Sequence, residues 1–142
     1  MGQKIQDPNW LAGFASAEGS FIVGIQKSSS HKAGVGVQLI FTVTQHSRDA
    51  ELLRSLVTYL DCGKFRTRGA KTEVGDFRAV KISDITAQII PFFQKYPIQG
   101  VKALDFAAFC EAANIMEAKA HLTADGLEEV RQIKSGMNTG RS

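Results

Sequence analysis

Hydrophobic positions along this chain change their period several times, and each change marks an element. Trp10, Leu11, Ala12, Gly13, Phe14, Ala15 and Ala17 crowd together behind Asp7 and Pro8, a good N-cap and a good first helical residue. A short helix over 7–18 is expected, closed by Gly19 as a left-handed cap. The period then drops to two. Phe21, Val23 and Ile25 alternate with Ser20, Ile22, Gly24 and Gln26. After a polar run from Lys27 to Gly34, Val37, Leu39, Phe41 and Val43 alternate with Gln38, Ile40, Thr42 and Thr44. The two strands make a hairpin with one strongly apolar face.

Ser47 is expected to cap a helix to about Leu60, with Leu52, Leu53, Leu56, Val57 and Leu60 at helical spacing. A second hairpin, Lys64 to about Arg68 and Asp76 to Ile82, puts Phe65, Phe77 and Ala79 in the core phase. Lys64, Arg66, Arg68, Asp76, Arg78 and Val80 take the other phase. Three helices complete the pattern. Ser83 caps the first, which runs to about Tyr96 and should bend or break at Pro91. The second runs from about Val101 to Lys119 and carries Leu104, Phe106, Phe109, Ile115 and Met116. The third opens at Thr123 and ends near Ser135, with Leu127, Val130 and Ile133 inward, and 136–142 reads as a loose tail.

Helices on both faces would waste the polar alternation of the strands. They cover one face, and the other stays open. The expected class is α+β, in the order αββαββα. Its four-stranded antiparallel sheet is saddle-shaped, with helices on one face, and residues 1–142 form a single domain. Composition adds bounds rather than direction. The 142 residues are 44% apolar and carry a net charge of +3, and a pI near 9.0 points mildly to an anionic partner. No apolar run approaches membrane-spanning length and no signal peptide is visible, so a soluble, intracellular protein is expected. Cys62 and Cys110 stand far apart in apolar surroundings, as buried thiols of a reducing compartment do.

Two features of the first helix point to chemistry. Gly13 and Ala17, four apart and flanked by Ala12, leave one face nearly without side chains, so another backbone can approach it. Glu18 ends the helix, where the dipole and free carbonyls repel an anion and invite a cation. Together they suggest two such helices packed side by side, with two acids meeting over a metal. No nucleophilic triad is visible. His31, His46 and His121 do not cluster at ligand spacing.

Leu11-Ala12-Gly13-Phe14-Ala15-Ser16-Ala17-Glu18-Gly19 resembles the LAGLIDADG motif of homing endonucleases, matching Leu11, Ala12, Gly13, Ala17 and Gly19 outright. Glu18 keeps the acid at the eighth, metal-binding place, Ser16 replaces the acid at the sixth, and Phe14-Ala15 replace Leu-Ile. The expected element order is also that of a LAGLIDADG domain. The chain looks most like the C-terminal half of two-motif, single-chain members, on the motif, on Phe41-Thr42-Val43-Thr44-Gln45-His46 and on the Lys119 to Asn138 segment.

The resemblance implies a metal-dependent, site-specific DNA endonuclease, making double-strand breaks in a long, palindromic or near-palindromic target as a homodimer. Glu18 would be the catalytic metal ligand, joined by the Gly19 backbone carbonyl or by Ala17 of the partner subunit. The metal would be Mg²⁺, with Ca²⁺ or Mn²⁺ able to substitute. Gln45 would orient water, and Lys102 would stand near the scissile phosphate. The dimer would pack through Leu11, Ala12, Gly13, Ser16 and Ala17.

The open sheet face carries amide, hydroxyl and guanidinium groups of the kind that read base edges in the major groove. Ser20, Ile22, Gly24, Gln26, Ser28, Gln38, Ile40, Thr42, Thr44, Lys64, Arg66, Arg68, Asp76, Arg78 and Val80 are the expected DNA-binding positions. Any antiparallel sheet with a wet side alternates in this way. Lys64, Arg66 and Arg68 go further, placing three cations on one face with no acid between them, and Asp76 on the neighbouring strand is expected to pair with them in part. The same fold also serves RNA-splicing maturases, which bind intron RNA, and non-catalytic DNA-binding modules. Cleavage of duplex DNA separates a nuclease from both. An organellar origin and a bacterial or phage origin both remain open.

Overall fold

The computed structural model describes residues 7–27, 35–46, 50–67 and 74–137. The expectations for Ser28, Arg68, the Ser47 cap and residues 138–142 lie outside them. Helix α1 (Pro8–Glu18) leads into strands β1 (Gly19–Lys27) and β2 (Val35–His46), then α2 (Ala50–Leu60), then β3 (Lys64–Thr67) and β4 (Val74–Ala79). The four strands form one antiparallel sheet in the order β1-β2-β4-β3. The chain continues through a bent helix, then α5 (Lys102–Glu117), a short 3₁₀ turn (Ala120–Leu122) and α6 (Ala124–Ser135).

The core lies between the apolar side of the sheet and the helices. Phe21, Val23, Leu39, Phe41, Val43, Phe77 and Ala79 are buried, as their two-residue period requires. Phe21 packs against the rings of Phe41, Phe93, Phe106 and Phe109, with centroids 5.0 to 5.7 Å away. One aromatic residue thereby ties β1 and β2 to two helices, and burying each such side chain contributes about 1.5–3 kcal/mol. Burial, aided by Asp84 and Asp61, pushes the Cys62 thiol up to about 11. Burial, aided by Glu111, does the same to Cys110, also to about 11. Both are therefore protonated thiols at neutral pH, the less reactive form.

Several local expectations are corrected. The helix after β4 opens at Ile82 with Lys81 as its N-cap, so Ser83 is not the cap. It comprises α3 (Ile82–Asp84), a π-helical turn (Ile85–Ile89) and α4 (Ile90–Lys95). Pro91 stands in the first turn of α4, where its missing N–H follows the π turn instead of breaking the helix. In α5 Leu104 is 58% exposed, and Asp105 beside it is buried. Met137, expected in a loose tail, is packed into the core. Thr123 caps α6 as expected, its hydroxyl accepting from the Gly126 N–H at 3.0 Å.

Candidate functional site

The first site is the C-terminal end of α1. Asp7 starts the helix by accepting from the Asn9 N–H at 2.8 Å, with Pro8 behind it. Gly19 ends it, but not in the left-handed region. Its backbone is extended (φ −83°, ψ 162°) and it is already the first residue of β1. Glycine is required there by close approach: a Cβ would stand 2.8 Å from the Ala15 carbonyl oxygen and 3.2 Å from the Phe41 ring. The helix runs into the strand without a loop, so Glu18 is fixed at the rim of the sheet. Glu18 is exposed, and among the described residues no ion pair engages it.

Two contacts from distant sequence complete this end. The Ser16 hydroxyl donates to the Ala12 carbonyl at 2.7 Å and accepts the Gln99 N–H at 2.8 Å. The segment before α5 is thereby pinned to the last turn of α1. Three residues further on, Lys102 Nζ donates to the Ala17 carbonyl at 2.9 Å. A cation on a terminal helix carbonyl offsets the negative end of the dipole, and it stands one residue from Glu18. Gln45 lies inside β2, opposite Gly75, rather than after the strand. It shares the helix-facing side with Phe41 and Val43, two residues beyond the partner of Gly19. Glu18, Lys102 and Gln45 therefore belong to one rim of the sheet.

The helix face expected at a dimer interface is divided. Leu11 is 0% exposed and Ala12 4%, so both are buried within their own chain. Ser16 is half-buried and engaged within the chain. Gly13 and Ala17 are exposed, and a Cβ on Gly13 would meet nothing within 4 Å. Trp10, 45% exposed, stacks on Phe14 with centroids 5.2 Å apart. The outward face is therefore Trp10, Gly13, Phe14 and Ala17, at i, i+3, i+4 and i+7. The positions of Leu11 and Ala12 are the inward half of the same amphipathic helix.

The second site is the open face of the sheet. Its residues fall into rows set by register. Ser20 lies opposite Thr42, Thr42 opposite Arg78, and Arg78 opposite Lys64. Thr44 lies opposite Asp76, which lies opposite Arg66. Ile22 faces Ile40, and Gly24 faces Gln38. A groove of about 440 Å³ includes Gln38, Lys64, Arg66, Arg78, Val80 and Lys81 in its lining, with Asp84 as its one acid. Arg78 Nε is buried without a hydrogen-bond partner. Gln26, Lys64, Arg66 and Val80 are exposed, whereas Asp76 is only 1% exposed. Thr44 Oγ1 donates to one Asp76 oxygen at 2.8 Å, and Arg66 Nε donates to the other at 3.3 Å. Asp76 was expected among the outward positions, pairing in part with the cations of the neighbouring strand; the structure has the pair with Arg66 and buries the carboxylate.

Sequence reasoning missed Gln99 altogether, and it missed the burial of Asp76. Neither has a local signal. The Ser16–Gln99 contact joins positions 83 apart, and the Thr44–Asp76 contact joins positions 32 apart. Among the described residues no group of three or more His, Cys, Asp or Glu is placed to hold a metal, and no helix is long and apolar enough to cross a membrane.

Comparison with known proteins adds independent findings. The family profile described as LAGLIDADG endonuclease matches residues 11–113. "Probable intron-encoded endonuclease 2" of Neurospora crassa is 39% identical over 129 residues, covering 91% of this chain and 27% of that protein. "Probable intron-encoded endonuclease 3" of the same fungus is 38% identical over 124 residues, covering 87% of this chain and 23% of that one. The crystal structure of I-SmaMI bound to cleaved DNA matches with a TM-score of 0.93 at 43% identity, over 100% of this chain and 47% of that chain. I-SmaMI bound to uncleaved target in the presence of calcium ions matches with a TM-score of 0.93 at 44% identity, over 97% and 47%. The chain spans about half the length of I-SmaMI and about a quarter of the Neurospora proteins.

Proposed function

Because this chain belongs to the LAGLIDADG endonuclease family, we propose that it is one half of a site-specific DNA endonuclease, paired with a second copy across a two-fold axis. The observation that carries the reading is the rim of the sheet. Exposed Glu18 ends α1, Lys102 Nζ is held on the adjacent Ala17 carbonyl, and Gly13 and Ala17 are exposed beside Trp10 and Phe14 on the outward helix face. One carboxylate is half of a divalent-ion site, since such ions take six or more oxygen ligands. The second carboxylate is Glu18 of the partner subunit, with the Gly19 carbonyl or Ala17 of the partner subunit supplying further oxygen.

When bound, Mg²⁺, or Ca²⁺ or Mn²⁺ in its place, offsets the charge of the scissile phosphate and lowers the pKa of water. The chain's own residues do the rest. Glu18 fixes the ion at the rim. Lys102 presents its ammonium to the negative charge that develops on the phosphate, a preorganised donor of the kind that stabilises transition states. Gln45, at the same rim, orients the attacking water. The open face tracks the major groove, with Gln26, Gln38, Lys64, Arg66 and Arg78 toward bases and phosphates and the Ile22–Ile40 pair toward thymine methyls. Two copies then read a palindromic or near-palindromic target, one half-site each.

A second reading of the partner is favoured by length. I-SmaMI carries about twice this chain in one polypeptide. A homologous domain linked in the same polypeptide would supply the same second carboxylate, and the target would then be asymmetric. The fungal relatives named as intron-encoded favour an intron-encoded, organellar origin for this chain as well.

The test is selection of cleaved duplexes from a random DNA library in Mg²⁺, with light scattering of the DNA complex. Palindromic products and two copies per duplex support the homodimer. Cleavage by one copy, or no cleavage of any duplex, overturns it. Glu18→Gln should lower cleavage by at least about a hundredfold while DNA binding in Ca²⁺ survives. Unchanged cleavage would remove Glu18 from the mechanism.

A further inference from the structure

Asp76 is an anomaly on a face that meets polyanionic DNA. It is a carboxylate on a central strand, paired with Arg66 and almost wholly withdrawn from solvent. A buried carboxylate is costly unless its oxygens are hydrogen-bonded, and here each oxygen has a donor: Thr44 Oγ1 at 2.8 Å and Arg66 Nε at 3.3 Å. Those partners come from opposite sides, Thr44 on β2 and Arg66 on β3, and both lie directly across from Asp76 in register. The consequence falls on Arg66. Its side chain is 54% exposed, and its contact with Asp76 is made through Nε, at the inner end of the fork. The two terminal amino groups remain for a ligand.

We infer that Asp76 is a positioning residue that presents Arg66 end-on to the major groove, so that Arg66 reads a guanine at one position of each half-site. Guanine offers two acceptors, N7 and O6, spaced for a guanidinium fork, and no other base presents that pair in the groove. An arginine free to swing meets a phosphate as readily as a base. One held at Nε by a strand-borne carboxylate has lost most of that freedom before DNA arrives, so the ordering cost of base contact is already met. Thr44 completes the device by holding the other oxygen, which fixes the carboxylate plane. Lys64, the neighbouring cation in the groove, has no such support and serves as a point charge. The inference rests on the reading that the open face binds duplex DNA.

The test is enrichment of bound sequences from a random duplex library in Ca²⁺, where cleavage plays no part, using the full chain and its Arg66→Lys and Asp76→Asn variants. The wild-type profile should contain one guanine column per half-site. Arg66→Lys should lower discrimination at that column about five- to hundredfold and leave the other columns as they were. Asp76→Asn should weaken the same column with Arg66 intact, which a merely structural role would not do. Asp76 is buried and its variant could misfold; exposed Arg66 carries the test in that event. Equal profiles for wild type and Arg66→Lys, or a uniform loss across all columns, would overturn the inference and leave Arg66 as a phosphate contact. Failure of the wild-type chain to enrich any duplex would overturn the DNA-binding reading itself.

Discussion

The open face of the sheet and the end of α1 are built in opposite ways. On the open face every partner comes from the same chain. Thr44, Asp76 and Arg66 satisfy one another across three strands, and Lys64, Arg78 and Thr42 line up in the adjoining row. At the end of α1, among the described residues, Glu18 has no ion-pair partner, Lys102 sits on a helix carbonyl, and Gly13 and Ala17 are exposed. The open face is thus closed within one chain, whereas the end of α1 presents groups that, on the proposed reading, a second such domain would complete.

That contrast is broken most severely at Gly13. A Cβ there would meet nothing within 4 Å, and replacing a helical glycine stabilises the fold by up to about 1 kcal/mol. Gly13→Leu should therefore leave the melting temperature unchanged or higher. It should also stop two α1 helices from approaching, with cleavage falling by at least about a hundredfold through misplacement of the paired acids. Calorimetry and light scattering on DNA check the two halves separately. Retained cleavage with a raised melting point would show that this face is not an interface.

Lys102→Ala should follow, lowering kcat by about 10²–10³-fold with KM nearly unchanged, because the charge it serves develops only in the transition state. A rise in KM alone would make Lys102 a simple phosphate contact. Ser16→Ala removes the pin to Gln99 and should lower kcat about fivefold, equivalent to about 1 kcal/mol for one hydrogen bond. Ser16→Thr, which keeps the hydroxyl, should restore it in single-turnover assays. The smallest effect belongs to the open face: Lys64→Ala should flatten the dependence of log affinity on log salt by about 1, with base preference intact.

How far the site was legible depended on whether each residue acts through its neighbours in sequence. Glu18 could be read because its oddity is local, an acid at the wrong end of a helix. The apolar faces of β1 and β2 could be read because a two-residue period and burial are the same fact. Leu11 and Ala12 were harder to place for a related reason. The motif compresses an inward and an outward face into one helix, and only packing against the core separates them. Gly19 was explained by its backbone angles when the cause was contact with the Ala15 carbonyl and the Phe41 ring.

What the sequence determined by itself was the α+β class, the order of its elements, the polar face of the sheet and the acid that ends the first helix, since periodicity and capping act within a few residues. What only the tertiary structure decided was that Lys102 meets Ala17, that Gln99 meets Ser16, and that Asp76 lies hidden between Thr44 and Arg66. These contacts join positions separated by tens of residues. Register and helix docking choose such partners, and no short-range pattern encodes them.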